Sequence, residues 1–149
     1  MISITRERRI PALAPAALYA LLADPQNLPR ILPRIARVEA GEPAGDSTPL
    51  TAYFQFGDDL GQRAAPGVFR AVADKEVAFE CAKPLPIVAR WTLHPQGQGT
   101  LLKGLLQFDL KPLLGPLALM TPTTLVKQRV GAELEQALRQ AEKLVSEAR

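Results

Sequence analysis

The chain has 149 residues, a net charge of +3, one histidine (His94) and one cysteine (Cys81). A structural zinc site takes about four His or Cys ligands and a catalytic one about three, so His/Cys metal chemistry is excluded and no metal site is expected. No disulfide can close within the chain, and the one imidazole stands in a stretch, His94 to Gly99, that reads as a turn and leaves no triad around it.

Ile2, Ile4 and Ile10 alternate with polar residues and predict a first strand, although Arg6 and Arg8 interrupt its apolar face. Pro11 ends that pattern. From Ala14 the period changes: Leu18, Leu21 and Leu22 fall at helical spacing, with Pro15 suited to the first turn. Asp24-Pro25 stops this helix and can cap a second one through Asn27, Leu28 and Ile31. Pro29 holds the second helix to one or two turns.

Strand signals then dominate. They predict strands over Ile35 to Ala40, Leu50 to Phe56, Val68 to Ala73, Val77 to Cys81, Ile87 to His94 and Leu102 to Leu110. The connections are short: Gly41 to Asp46, a hairpin turn at Gly57-Asp58-Asp59-Leu60-Gly61, Ala73-Asp74-Lys75, Lys83 to Pro86, and Pro95 to Gly99. Short turns imply antiparallel neighbours, and nothing between Arg34 and Leu110 is long enough for a helical crossover. A long helix from Pro122 to Ala148 follows. Val126, Val130, Leu134, Leu138, Ala141 and Val145 form its apolar stripe, Thr121 is placed to cap it, and Glu135 and Arg139 are spaced as an outer-face pair.

The expected fold class is therefore α+β: about seven antiparallel strands, two short helices after the first strand, and a long C-terminal helix against the one-sided sheet. Hydrophobic residues at 47% and charged residues at 22% suit one globular domain over residues 1–149. A charge of +3 does not suggest nucleic acid. The arginines of the first forty positions (6, 8, 9, 30, 34 and 37) read as a solvated surface, with a nucleic-acid or anionic-membrane patch as the alternative. The most apolar uncharged run, Pro112 to Val126, holds three prolines and falls short of the about 20 residues of a membrane span. No secretory signal is visible, so a cytoplasmic location is expected.

Three stretches carry a family likeness: Ile10-Pro11-Ala12 with Pro15 to Pro25 and Leu28-Pro29, Leu32-Pro33; then Trp91-Thr92-Leu93-His94-Pro95 with Gly99-Thr100; then the Gly- and Pro-bearing approach to the last helix. In this order they resemble the helix-grip fold of the START-like, polyketide cyclase/dehydrase and lipid-transport (SRPBCC) superfamily. The resemblance implies a curved sheet wrapped around the long helix with a cavity between them. It also implies a range of roles, from ligand carriers to aromatic cyclases. It brings no universal catalytic motif and no cofactor, so it transfers a cavity and no chemistry.

Phe54, Phe56, Trp91 and Phe108 share one sheet face and, with Leu106, Val126 and Val130, are candidates to line an apolar ligand pocket; plain core packing is the competing reading for each. Met120 joins them from residues 113–120, a stretch that reads as a packed helical turn, a lid or a homodimer contact. Arg70 is the polar candidate, able to hold a carboxylate if it faces inward. Tyr53 and Lys127 are lesser ones. Arg90 falls on the outer face by strand parity, as do Glu80 and Asp109, and Asp58 and Asp59 read as solvated turn residues. Cys81 reads as a small buried apolar residue. Gly131, inside the long helix, either is tolerated or leaves room for a ligand or the sheet. The expected function is binding or transport of a hydrophobic small molecule such as a lipid, quinone or polyketide-like compound. The alternatives are a cyclase/dehydrase-like enzyme working through Tyr53, Arg70 or His94, and a protein-interaction module.

Overall fold

The structure is a computed structural model that describes residues 1–56 and 61–148. Seven strands form one antiparallel sheet: β1 (Ile2–Ile10), β2 (Ile35–Ala40), β3 (Ser47–Gln55), β4 (Gln62–Val72), β5 (Glu76–Cys81), β6 (Ile87–Gln96) and β7 (Gly99–Phe108). Their spatial order is β1-β7-β6-β5-β4-β3-β2, so β1 and β2 are the free edges. Between those edges run α1 (Pro15–Leu22), a 3-10 turn (Pro25–Asn27) and α2 (Leu28–Ile31). After β7 come α3 (Lys111–Leu114), a second 3-10 turn (Gly115–Leu119) and α4 (Thr123–Ala148).

The helical entry forms for the reasons visible in the sequence. Pro15 occupies the first helical position of α1, where a missing N–H costs nothing. The Asp24 carboxylate accepts the Gln26 N–H at 3.0 Å and caps the 3-10 turn. Leu18 and Leu22 are buried, as are Leu28 and Ile31 of α2. The buried Thr100 hydroxyl donates to the Leu13 carbonyl at 2.8 Å and ties the start of β7 to the approach to α1.

The α4 helix has 26 residues, about 39 Å at 1.5 Å per residue. Its buried residues are Gly131, Leu134, Ala137, Leu138, Ala141 and Val145, all in its C-terminal two-thirds. Leu134 descends onto a row in which Trp91 of β6, Gly104 of β7 and Arg6 of β1 lie side by side. A Cβ at position 104 would stand 2.8 Å from Leu134 Cδ1 and 3.0 Å from Trp91 Cζ3. Gly104 therefore sets how closely the helix approaches the sheet.

Arg6 and Arg8 interrupt the apolar face of β1 because they reach α4. Arg6 Nε donates to Glu135 Oε1 at 3.1 Å and Arg8 Nε to Glu142 Oε1 at 2.6 Å. They are not a freely solvated basic patch, and Glu135 is engaged by Arg6. Arg6 also explains Gly131, where a Cβ would meet its guanidinium Nη2 at 2.3 Å. The glycine makes room for an arginine crossing the helix.

Several expectations need correction. β4 begins at Gln62, six residues before Val68, because Ala64, Ala65, Pro66 and Gly67 are poor strand formers held by pairing with β3. β6 runs through His94 and Pro95 to Gln96, and His94 is exposed on that strand. β7 stops at Phe108, so Leu110 belongs to the turn into α3. Thr121 does not cap α4, since its hydroxyl donates back to the Leu117 carbonyl at 2.9 Å. The expected hairpin turn with Asp58 and Asp59 lies outside the described residues at positions 57–60.

Trp91 is 2% exposed. Trp91→Ala is expected to lower stability by about 3–5 kcal/mol in a denaturant titration; a loss well under that range would place the indole outside the core. Gly131→Ala is expected to raise stability by about 1 kcal/mol in an Arg6→Ala background, the helix-propensity gain of alanine. In the wild-type background the gain should shrink or vanish, because the guanidinium must move. Equal gains in both backgrounds would contradict the crossing.

Candidate functional site

Where α4 rises beyond Gly131 toward its N-terminus, the space above the sheet is open. A cavity of about 480 Å³ lies there. The sheet contributes Phe54 and Phe56 at the end of β3, Ile87 at the start of β6, and Leu106 and Phe108 at the end of β7. The helix contributes Val126 and Val130, and the segment leading into β2 contributes Leu32, Pro33 and Ile35. Strand alternation puts Phe54 and Phe56 on the same face. Their rings stack with centroids 5.9 Å apart and an interplanar angle of 13°.

One wall of the cavity is charged. Arg34, just before β2, makes a two-pronged pair with Glu133 of α4, with Nε to Oε2 and Nη2 to Oε1 both at 2.7 Å. Hydrogen bonding to Glu133 raises the Arg34 pKa above its ordinary value, and burial opposes this more weakly. Arg129, one turn earlier on α4, stands 3.9 Å from the same carboxylate. Asp109, expected on the outer face, lies instead at the cavity wall because β7 has ended one residue before it; it accepts the Lys111 N–H at 3.0 Å, which starts α3. Gln107 reaches the cavity edge, but its side-chain amide donates to Ser3 Oγ at 3.3 Å on the neighbouring strand. The charged groups thus partner one another or the backbone; Gln107 and Gln136 are the uncharged polar side chains of the wall, and the rest of it is apolar.

Six of the nine candidate pocket residues come together here: Phe54, Phe56, Leu106, Phe108, Val126 and Val130. Three do not. Trp91 shares the sheet face but sits deeper, under Leu134, where the helix closes the gap. Arg70 is exposed on the outer face of β4, because Ala65, Phe69 and Ala71 hold the inner parity; its apolar neighbours Val68 and Val72 lie outward with it. Met120 is 80% exposed and away from the cavity wall.

The lesser polar candidates also lie elsewhere. Tyr53 sits on the outer face, where its hydroxyl donates to Glu39 Oε2 at 3.1 Å and Arg37 covers its ring at 3.7 Å. Hydrogen bonds from Arg37 and then Tyr53 hold the Glu39 carboxyl below its ordinary pKa. Lys127 is exposed beside β1. Arg90 bridges Glu76 at 2.8 Å and Glu80 at 3.1 Å on the outer face. Cys81 is buried, with its Sγ donating to the Lys83 carbonyl at 3.3 Å.

Sequence reasoning did not place Arg34, Glu133, Asp109 or Leu85 at the site. Arg34 and Glu133 are 99 positions apart, and no local pattern links them. Among the described residues, no group of three or more His, Cys, Asp or Glu is arranged to hold a metal ion.

A family model for polyketide cyclase/dehydrase and lipid transport matches residues 1–145. The chain belongs to that family. Solved structures of the same helix-grip fold include TTHA0849 from Thermus thermophilus, with 20% identity over 99% of both chains and a TM-score of 0.79. A START superfamily protein from Mycobacterium smegmatis is 16% identical over 99% of both chains, with a TM-score of 0.76. The di-domain aromatase/cyclase StfQ of the steffimycin biosynthetic pathway is 16% identical with a TM-score of 0.73, and 99% of this chain covers 52% of it. Among curated proteins no sequence matches this chain.

Burial pushes the Cys81 thiol above its ordinary pKa, with weaker backbone hydrogen bonds opposing. A raised folded-state value means that the neutral thiol is favoured by folding. Its stabilising contribution is complete below the unfolded thiol pKa of about 8.5 and is lost as pH rises past it. Cys81 is therefore expected to react with a disulfide reagent far more slowly in the native protein than in urea at pH 8. The wild type is also expected to lose more stability than Cys81→Ala between pH 8 and 10. Fast native labelling would contradict the burial.

Proposed function

We propose that the protein binds or carries a hydrophobic small molecule (a lipid, quinone or polyketide-like compound) in the cavity under the N-terminal part of α4, with no obligatory chemistry. One observation carries this reading: an open space of about 480 Å³ with a largely aromatic and aliphatic wall, beside the buried core. That volume falls in the range of small-molecule sites, which are mostly apolar with a few placed polar groups. His94 and Cys81 both lie away from the wall, which favours carriage over acid–base or nucleophilic work. An open cavity gives no support to a purely structural interaction module.

A second reading, a cyclase/dehydrase-like enzyme, is favoured by two observations. The fold matches one half of StfQ, an aromatase/cyclase. Arg34, Glu133 and Asp109 also place charge at the cavity wall, where a folded substrate could be oriented. In that case any proton transfer would fall to a carboxylate, because no imidazole is at hand.

Native mass spectrometry of protein purified from its own host is expected to show a co-purifying hydrophobic compound. In thermal-shift measurements, a bound member of a lipid and aromatic library should stabilise the protein by about 2.7 kcal/mol at 100 times its dissociation constant. Val130→Phe, which fills the cavity, should abolish that shift while the protein remains folded. No shift across a broad library, or a shift unaffected by Val130→Phe, would overturn carriage in this cavity. Turnover of a polyketide-like compound that is lost in Glu133→Gln would select the enzyme.

A further inference from the structure

The charged groups of the cavity wall are not equally engaged. Both carboxylate oxygens of Glu133 are taken by the Arg34 fork at 2.7 Å. The Asp109 carboxylate accepts the Lys111 N–H at 3.0 Å. Arg129 is the exception. It stands 3.9 Å from Glu133, beyond hydrogen-bond reach, and its side chain is 79% exposed. Among the described residues it is the cation of the wall whose guanidinium donates no hydrogen bond.

A guanidinium carries five N–H donors in a planar fork and keeps its charge at any ordinary pH. This one borders an apolar space: Val126, one turn before it on α4, and Val130, next to it, belong to the same wall. An apolar interior with a donor-only cation at its solvent edge suits a molecule with an apolar body and one acidic end. The body leaves water. The end stays at the edge, keeps part of its hydration and avoids the cost of a buried charge.

The local charge narrows what that end is. Arg34, Arg129 and Glu133 are two cations and one anion, which leaves a single positive charge. A carboxylate brings one negative charge and two oxygens spaced for the guanidinium fork. A phosphomonoester brings nearly two negative charges and would set them beside Glu133. An ammonium would meet two guanidiniums and find Asp109 as its partner at the wall.

We propose that the cavity selects an amphiphile with a carboxylate end, and that Arg129 is the specificity-determining residue that receives it. The inference rests on carriage in this cavity and adds the chemical class of the ligand's polar end.

The test is isothermal titration calorimetry of the whole protein at neutral pH with three probes of equal chain length, decanoate, decanol and decylamine. Arg129→Gln should weaken decanoate about fivefold, the upper range for an exposed ion pair, and leave decanol unchanged. Arg129→Glu should weaken decanoate further and strengthen decylamine. Lys127→Gln, on the same helix but beside β1, should change none of the three. Raising salt from about 0.05 to about 0.5 M should narrow the difference between wild type and Arg129→Gln for decanoate, since an exposed charge is screened. Circular dichroism melting checks that each variant is folded, as expected for exposed side chains. Decanol binding that Val130→Phe abolishes, with decanoate indifferent to Arg129, would keep carriage and overturn the carboxylate assignment. Equal weakening of decanoate by Lys127→Gln and Arg129→Gln would make Arg129 one part of a general positive field and overturn it as well. A wild-type preference for decylamine would give the polar end to Asp109 and overturn it. Binding of none of the three would also overturn it, while carriage itself is decided by the wider lipid and aromatic library.

Discussion

The molecule depends on one contact: Leu134 of α4 seated over Gly104 with Trp91 beside it. A glycine in mid-strand gives up side-chain packing and backbone order. Here it removes the one Cβ that would hold the helix off the sheet. With that contact made, Leu138, Ala141 and Val145 follow it into the core. Lowering one part of a continuous helix onto a curved sheet leaves another part raised, and the raised part roofs the cavity. The closed core and the open cavity are thus two results of one packing decision.

Salt bridges then fix how the helix lies. Arg6 and Arg8 hold it from the β1 side and Arg34 holds it from the β2 side, so α4 is gripped from both edges of the sheet. Each pair is about one-third to one-half exposed, where such bridges contribute at most about 1 kcal/mol. Their value lies in direction more than in strength. The helix stripe is greasy and would tolerate a small roll or slide, whereas a guanidinium paired with a carboxylate at 2.6–3.1 Å does not. Arg34 and Glu133 also set the position of the cavity's charged wall.

The period of the apolar residues made most of the architecture legible. Alternation or short strand-forming runs bounded by turn residues marked at least part of all seven strands, helical spacing marked α1 and α4, and short turns implied the antiparallel order. Parity also placed Phe54, Phe56, Leu106 and Phe108 on one face. What was not legible depended on tertiary context. The first half of β4 has no strand propensity of its own and exists through its partner β3. Arg70 shares its face with two valines, so local pattern left its direction ambiguous, and the sheet turns that face outward. Arg6 read as a flaw in β1 because its partner, Glu135, is 129 positions away. Trp91 had the right face, but sequence could not say which part of that face the helix covers. Leu117 and Met120 belong to a run whose apolar pattern suited a packed helical turn, a lid or a dimer contact alike, and both side chains are exposed.

The placement of the two edge strands has a consequence for how copies of this chain meet in a crowded solution. An unpaired strand edge is a template for joining another sheet. At one edge β1 carries four consecutive charged residues, Arg6-Glu7-Arg8-Arg9; at the other, β2 carries Arg37 and Glu39, and its register shifts between Ile35 and Arg37. A second strand drawing alongside either edge would have to strip water from those charges, or follow an irregular ladder at β2. At the β1 edge, Arg6 and Arg8, which hold the helix inside, therefore also guard the sheet against growing outward into a fibre; at the β2 edge Arg37 and Glu39 do so.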